Sequence, residues 1–112
     1  MIDLETEAVG AATVVRPKGR LDMVAAPQLR TLLDRLIAEG SSLVVVDFSA
    51  TDFVDSSGLG AVVSGLRAAR QAGGDLRIAC VAGQVATVLG LTTLDRVFRA
   101  HATVEDAIGA GG

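Results

Sequence analysis

The residue types that could do chemistry are concentrated in one short segment, Asp55-Ser56-Ser57-Gly58-Leu59-Gly60. Aspartate and serine oxygens accept hydrogen bonds from the free backbone N–H groups at a helix start, so helix capping is one interpretation. Gly58 and Gly60 would let another molecule approach the first helical turn closely. Each glycine also costs about 0.8–1 kcal/mol of helix stability relative to alanine. Because capping alone does not explain that cost, the segment is also a candidate binding surface.

The sequence patterns that build common enzymes from serine, aspartate and histidine are absent. There is no Gly-x-Ser-x-Gly nucleophile elbow and no phosphate loop ending in Gly-Lys-Ser/Thr. The Gly58-x-Gly60 pair lacks the third glycine of a dinucleotide fingerprint. One histidine and one cysteine are too few for a structural zinc site. We therefore expect no enzymatic activity, no cofactor and no metal.

Composition narrows the class of protein further. The 112 residues suit one domain spanning residues 1–112, and half of them are hydrophobic, which is enough for a core. A net charge of −3 argues against binding to nucleic acid or to an acidic membrane surface. Residues 1–5 carry no basic stretch, and no apolar run reaches the ~20 residues of a membrane span. With Cys80 as the single cysteine, a cytoplasmic location is expected.

Apolar patterning predicts the strands that would position the segment. Residues 2–9 alternate, which is typical of a half-buried strand, and residues 13–16 predict a second strand that ends at Pro17 and Gly19. Continuous apolar runs predict buried strands at 43–48 and 76–82. Residues 49–55 between them are predicted to be a loop.

Helical spacing alternates with these strands. A stripe over 29–37 predicts a helix with Pro27 in its first turn and Gly40 just past its end. A second helix is predicted to start at residues 55–57 and to stop at 73–74. Two short helices follow, one ending at Gly90 and one capped by Thr103. The order predicts an α/β fold with about four α-helices on a small mixed β-sheet of about four to five strands, and a frayed tail at 109–112.

Three stretches resemble a known family. They are Gly19-Arg20-Leu21-Asp22, the segment 47–60 with its intact Asp-Ser-Ser-Gly-Leu-Gly, and the ending 94–98 followed by 103–107. The chain resembles the STAS domain of sulfate transporters and anti-sigma factor antagonists, and is most similar to the stand-alone bacterial antagonists. The resemblance covers nearly the whole chain and implies the STAS fold.

The resemblance implies a partner-switching regulator of transcription. The unphosphorylated protein would bind an anti-sigma factor, an ATPase-fold serine kinase, and so release a sigma factor. The kinase would phosphorylate Ser56, and the complex would then dissociate. A serine phosphatase would remove the phosphate and restore binding. The implied partner-binding residues are Asp22, Asp55, Ser56, Ser57, Gly58, Leu59 and Gly60. The family is usually monomeric when free. The alternative is a STAS interaction module of another signalling or lipid-transport assembly, with nucleotide binding as a further option.

Some residues near the segment have two interpretations. Asp22 is either a partner contact or a turn residue. Ser57 could replace Ser56 as the phosphoacceptor, although a helix-facing role suits it better. Phe53 is predicted to fill the core beneath the loop, and Asp52 is expected near Ser56.

Overall fold

A six-stranded mixed sheet positions the candidate segment in the computed structural model, which describes residues 2–98 and 100–110. Within those residues the strands are β1 (Asp3–Val9), β2 (Ala12–Leu21), β3 (Leu43–Asp47), β4 (Thr51–Val54), β5 (Asp75–Ala79) and β6 (Ala100–His101). The α-helices are α1 (Ala26–Ala38), α2 (Ser56–Gln71), α3 (Gly83–Gly90) and α4 (Val104–Gly109), with a 3₁₀ turn at Thr93–Arg96. The predicted α/β fold with four α-helices is confirmed.

The sheet order is β1-β2-β3-β5-β6, and β4 pairs with β2 away from this path. The predicted β1–β2 hairpin is confirmed as an antiparallel pair. β3 lies parallel to both β2 and β5, as expected for strands joined through helices. β4 and β6 are the short strands that the sequence patterns did not delimit.

The prediction that β2 ends at Pro17 and Gly19 is wrong, because the strand continues to Leu21. Its first part, from Ala12, pairs with β3, and its last three residues pair with β4. Pro17 lies between these two ladders, where its missing N–H breaks no pairing with either parallel strand. Gly19 has a φ of +103° at the register shift, which glycine adopts without strain.

The loop prediction for residues 49–55 is also wrong in its second half. Residues 51–54 form β4, which pairs in parallel with the end of β2. The Thr51 hydroxyl donates a hydrogen bond of 2.8 Å to the Pro17 carbonyl, and the Gly19 N–H donates one of 3.0 Å to the Ala50 carbonyl. These bonds fix β4 against a part of β2 that the sequence had suggested was not strand.

The central strand β3 is covered on both faces, as its apolar run predicts. Val44 and Val46 pack into the main core with α1 and α2, and Val45 packs on the opposite face with Ala107 of α4. All three valines are fully buried. On the α4 side, Arg77 donates a 2.7 Å hydrogen bond to the Ala107 carbonyl and so ties α4 to β5.

The predicted helix ends are confirmed at several positions. Pro27 occupies the first turn of α1, and Gly40 follows its end with a φ of +101°. The Thr103 hydroxyl caps α4 by accepting the Asp106 N–H at 3.0 Å. Of the predicted frayed tail, residue 109 ends α4, and residues 111–112 lie outside the described residues.

Candidate functional site

The candidate segment lies where two parallel strands end side by side. Leu21 ends β2 and pairs with Val54, which ends β4. The Asp55 N–H then donates to the Leu21 carbonyl at 3.3 Å, and α2 begins at Ser56. The start of α2 is therefore fixed at the carboxyl edge of the sheet, where sites in α/β proteins commonly lie.

Asp55 holds two elements together through its carboxylate. One oxygen, Oδ1, accepts the Gly58 N–H at 2.9 Å and caps α2, which confirms the predicted cap. The other, Oδ2, accepts the Met23 N–H at 3.2 Å from the loop between β2 and α1. Met23 and its neighbour Val24 are each 70% exposed. Asp55 thus places an exposed apolar pair beside the start of α2.

Asp22 shapes the same loop. Its Oδ1 accepts the N–H groups of Val24 and Ala25, both at 3.1 Å, so the turn interpretation is supported. Its other oxygen lies 3.9 Å from the Arg20 guanidinium, a long contact between side chains partly open to solvent. A contact of Asp22 with a partner stays a prediction. Asp52 is exposed on β4, and no described contact joins it to Ser56.

The two serines differ in accessibility. Ser56 is exposed and Ser57 is half-buried. Neither hydroxyl makes a hydrogen bond to the described residues. Ser56 therefore presents the more accessible hydroxyl of the pair, in the first position of α2.

The three residues that follow divide between packing and open surface. Gly58 is buried, and a Cβ there would lie 2.2 Å from the Leu21 carbonyl oxygen, so this glycine is needed for the close approach of α2 to β2. The Leu59 side chain is 4% exposed and belongs to the core. Gly60 is half-buried, with no heavy atom within 4 Å of the position a Cβ would take. Of the two glycines, Gly60 is therefore the one with room beside it.

Gln84 is a residue that the sequence analysis missed. Its side-chain oxygen accepts the Val54 N–H at 2.8 Å, and its side-chain NH₂ donates to the Val54 carbonyl at 2.9 Å. The amide thereby pairs with the edge of β4 as a neighbouring strand would. No local signal in the sequence identifies it, because the pairing joins residues thirty positions apart.

Phe53 does not fill the core as predicted. It is half-buried, and its ring lies beneath the Arg20 guanidinium, 4.0 Å from ring centre to the central carbon. The reason is the β4 pairing, which aligns Arg20 with Phe53 on neighbouring strands. This cation–π contact covers the ring at the edge of the site.

A buried polar network lies at the end of β3. Burial alone would raise the pKa of Asp47, but hydrogen bonds from the Ser49 N–H and the Arg16 guanidinium, each 2.8 Å, outweigh it and hold the pKa below its usual range. Burial, and then the Asp47 carboxylate, raise the pKa of the Cys80 thiol. Cys80 therefore stays protonated at neutral pH, which suits a structural residue.

The described residues contain no group of three or more histidine, cysteine, aspartate or glutamate side chains arranged to hold a metal ion. No helix formed by residues 2–98 and 100–110 combines the length and apolarity needed to cross a membrane.

Several solved proteins share the fold of this chain. The crystal structure of an anti-sigma factor antagonist from Mycobacterium paratuberculosis matches with a TM-score of 0.87 and 27% identity, over 96% of this chain and 92% of that one. The Bacillus cell fate determinant SpoIIAA in its phosphorylated form matches with a TM-score of 0.71 and 27% identity, over 96% of each chain. A sulfate transporter family protein from Wolinella succinogenes shares the fold, with a TM-score of 0.76 and 15% identity over 90% of this chain and 84% of that one.

The family model of the STAS domain matches residues 3–107, which include every strand and most of α4. The chain belongs to the STAS domain family.

Proposed function

We propose that this protein is an anti-sigma factor antagonist whose binding to an anti-sigma factor is ended by phosphorylation of Ser56. The observation that carries the proposal is the exposed Ser56 at the start of α2, beside a carboxylate that holds the neighbouring loop. Two solved proteins at 27% identity support it, one an anti-sigma factor antagonist and the other a cell fate determinant in its phosphorylated form.

The proposed binding surface combines the start of α2 with the loop that Asp55 holds. The residues that contribute to this surface are Asp22, Asp55, Ser56, Ser57 and Gly60. Gly58 and Leu59 lie beneath this surface and set its shape by packing. The exposed pair at 23–24 adds apolar area of the kind that interfaces bury. The proposed partner is an anti-sigma factor with an ATPase-fold serine kinase activity, and a serine phosphatase would reverse the reaction.

Electrostatics explain why a phosphate would end binding without unfolding the protein. A phosphoserine carries about −1.5 to −2 charges at pH 7. At the first position of α2 the helix dipole favours that charge, so the fold persists. Asp55 is adjacent in sequence, and Asp22 shapes the loop that Asp55 holds. Burying a new anion among carboxylates in an interface would weaken binding through repulsion and desolvation.

The test is a tagged pull-down that compares the wild type with Ser56→Asp, identifying captured proteins by mass spectrometry. Ser42→Asp is the matched control, because Ser42 is also exposed but precedes β3 at the opposite edge of the sheet. We expect wild type and control to capture an ATPase-fold protein, and Ser56→Asp to capture at least about tenfold less. Equal capture by all three, or capture of transport proteins alone, would contradict the proposal.

The captured kinase then identifies the acceptor. Ser56→Ala should abolish phosphate incorporation from ATP, and Ser57→Ala should retain it. Phosphorylation that survives in Ser56→Ala and disappears in Ser57→Ala would assign the acceptor to Ser57 and overturn the role of Ser56.

A further inference from the structure

A groove of about 460 Å³ begins beside Ser56 and follows α2. Ser56, Gly60, Val63 and Arg67 line it, and their spacing of four, three and four residues places them on one face of the helix. From the first to the last of these residues the groove runs about 16 Å along α2. Its other walls come from α1 and from the α3–3₁₀ region.

The groove combines apolar surface with positive charge. Val63 of α2, Val88 of α3 and Leu94 of the 3₁₀ turn give apolar walls, and all three are half-buried. Arg30 on α1 and Arg67 on α2 are both exposed and supply the charge. Among the described side chains, to which that of Asp95 does not belong, no acidic residue lines the groove and neither arginine forms an ion pair. In a protein of net charge −3, this is a local excess of positive charge.

We propose that this groove binds an acidic amphipathic segment of a protein partner, with apolar side chains against Val63, Val88 and Leu94 and carboxylates at Arg30 and Arg67. Charge complementarity selects an acidic occupant, and the apolar walls select one that also carries apolar side chains. A length of about 16 Å matches three turns of helix. Gly60 leaves space for the backbone of such a segment, because nothing lies within 4 Å of its missing side chain.

This inference rests on the proposed function in one respect, which is the modification of Ser56. A phosphate on Ser56 would stand at one end of the groove, about 16 Å along α2 from Arg67, and would add about −1.5 to −2 charges there. That charge would repel the carboxylates of the bound segment. Phosphorylation would therefore weaken binding of the segment in the groove as well as binding of the partner at the start of α2.

The first experiment uses defined peptides and no natural partner. One peptide of about 14 residues carries leucine at i, i+3, i+4 and i+7 and glutamate at most other positions, and the control peptide carries lysine in place of glutamate. Titration is followed by the amide NMR signals of the ¹⁵N-labelled protein. We expect the acidic peptide to shift the Val63 and Val88 signals, to leave Gly10 in the β1–β2 turn unchanged, and to bind more weakly as salt rises. Equal binding of the basic peptide, or shifts outside the groove, would overturn the proposal.

Variants then test the two arginines. Arg30→Glu and Arg67→Glu should each weaken the acidic peptide about tenfold, whereas Arg35→Glu on α1 and Arg70→Glu on α2 should change it less than about twofold. Thermal unfolding followed by circular dichroism verifies that all four variants fold. Arg35 and Arg70 are matched controls, because both are exposed and lie outside the groove. Equal weakening by the controls would show only a general charge effect and would overturn the assignment.

Two further outcomes separate this inference from the function proposed above. Ser56→Asp should weaken binding of the acidic peptide severalfold, and unchanged affinity would overturn the repulsion between a negative charge at Ser56 and the carboxylates of the segment. One contrary result is displacement of the peptide by ATP at a concentration below that of the peptide, and another is the formation of dimers through this face. Either result would show that the groove serves another ligand and would overturn the proposal. Because the peptide assay contains no anti-sigma factor, peptide binding and partner capture succeed or fail independently.

Discussion

Gly58 and Gly60 stand two residues apart in one helical turn, and the structure predicts opposite effects for the same substitution. In Gly58→Ala the new Cβ would lie 2.2 Å from the Leu21 carbonyl oxygen and 2.9 Å from side-chain carbons of Leu21 and Val54. Carbon and oxygen normally approach no closer than about 3.3 Å, so the start of α2 would have to move by roughly 1 Å. In Gly60→Ala the new Cβ would meet no heavy atom within 4 Å.

The sizes of the two effects follow from this difference. Alanine gains about 0.8–1 kcal/mol over glycine in a helix, and Gly60→Ala should retain most of that gain. Gly58→Ala gains the same propensity but loses about 3 kcal/mol to overpacking, the upper end of the usual range, because the new Cβ meets a backbone carbonyl that cannot rotate away. The displacement also strains the bond from the Asp55 N–H to the Leu21 carbonyl. We expect the free energy of unfolding of Gly58→Ala to be about 2 kcal/mol lower than that of the wild type, and the free energies of the two variants to differ by about 3 kcal/mol.

Urea unfolding followed by circular dichroism measures both free energies, provided that the slopes against urea agree among the proteins. In thermal unfolding the predicted gap corresponds to about 12 °C between the two midpoints. A Gly58→Ala variant within about 0.5 kcal/mol of wild type would refute the close approach of α2 to β2. Gly60→Ala also separates stability from binding, since a contact of the partner backbone at Gly60 predicts a more stable protein that captures less partner.

Three other changes test the supports of the site. Asp55→Ala should cost about 1–2 kcal/mol in urea unfolding by removing the helix cap, and Asp55→Asn should cost less because one oxygen remains. Gln84→Met should cost about 1–3 kcal/mol and speed hydrogen exchange at the Val54 amide, whose partner it removes. The pKa of Asp47 is lower in the folded state than in the unfolded state, so the unfolded state is protonated first as the pH falls. The stability that Asp47 contributes is therefore present above about pH 4 and is lost below it. Asp47→Asn should therefore flatten the loss of stability in acid, measured by urea unfolding at a series of pH values.

Local signals predicted the elements whose ends are set by nearby residues. Pro27, Gly40 and Asp55 act within one turn of their helix, so their residue types suffice to place the ends of α1 and α2. The β4 strand lacks such a signal. It has four residues that do not alternate in burial, and it exists because β2 continues past Pro17 to pair with it. That pairing joins residues 32 or 33 positions apart and cannot be predicted from either segment alone.

In the site, too, some roles follow from neighbouring residues in the sequence and others depend on contacts between distant segments. The sequence identified Ser56 and its neighbours but treated Gly58 and Gly60 alike, although one contacts Leu21 and the other borders a groove. Only the position of β2 under α2 separates their roles. The cations of the groove come from α1 and α2, so neither arginine belongs to a motif in the sequence.

The helix cap and the proposed phosphoacceptor are different residues, which explains how one modification would change binding without changing the fold. The cap is Asp55, whose two oxygens are occupied by the N–H groups of Gly58 and Met23. Ser56 contributes no described side-chain hydrogen bond to either element, so a phosphate on it breaks none of these contacts. If Ser56 were instead the cap, its modification would remove a bond worth about 1 kcal/mol at the point where α2 meets the loop. Since the cap and the acceptor are different residues, the added charge acts on whatever binds the exposed face of α2, and the surface that α2 and the loop form stays in place.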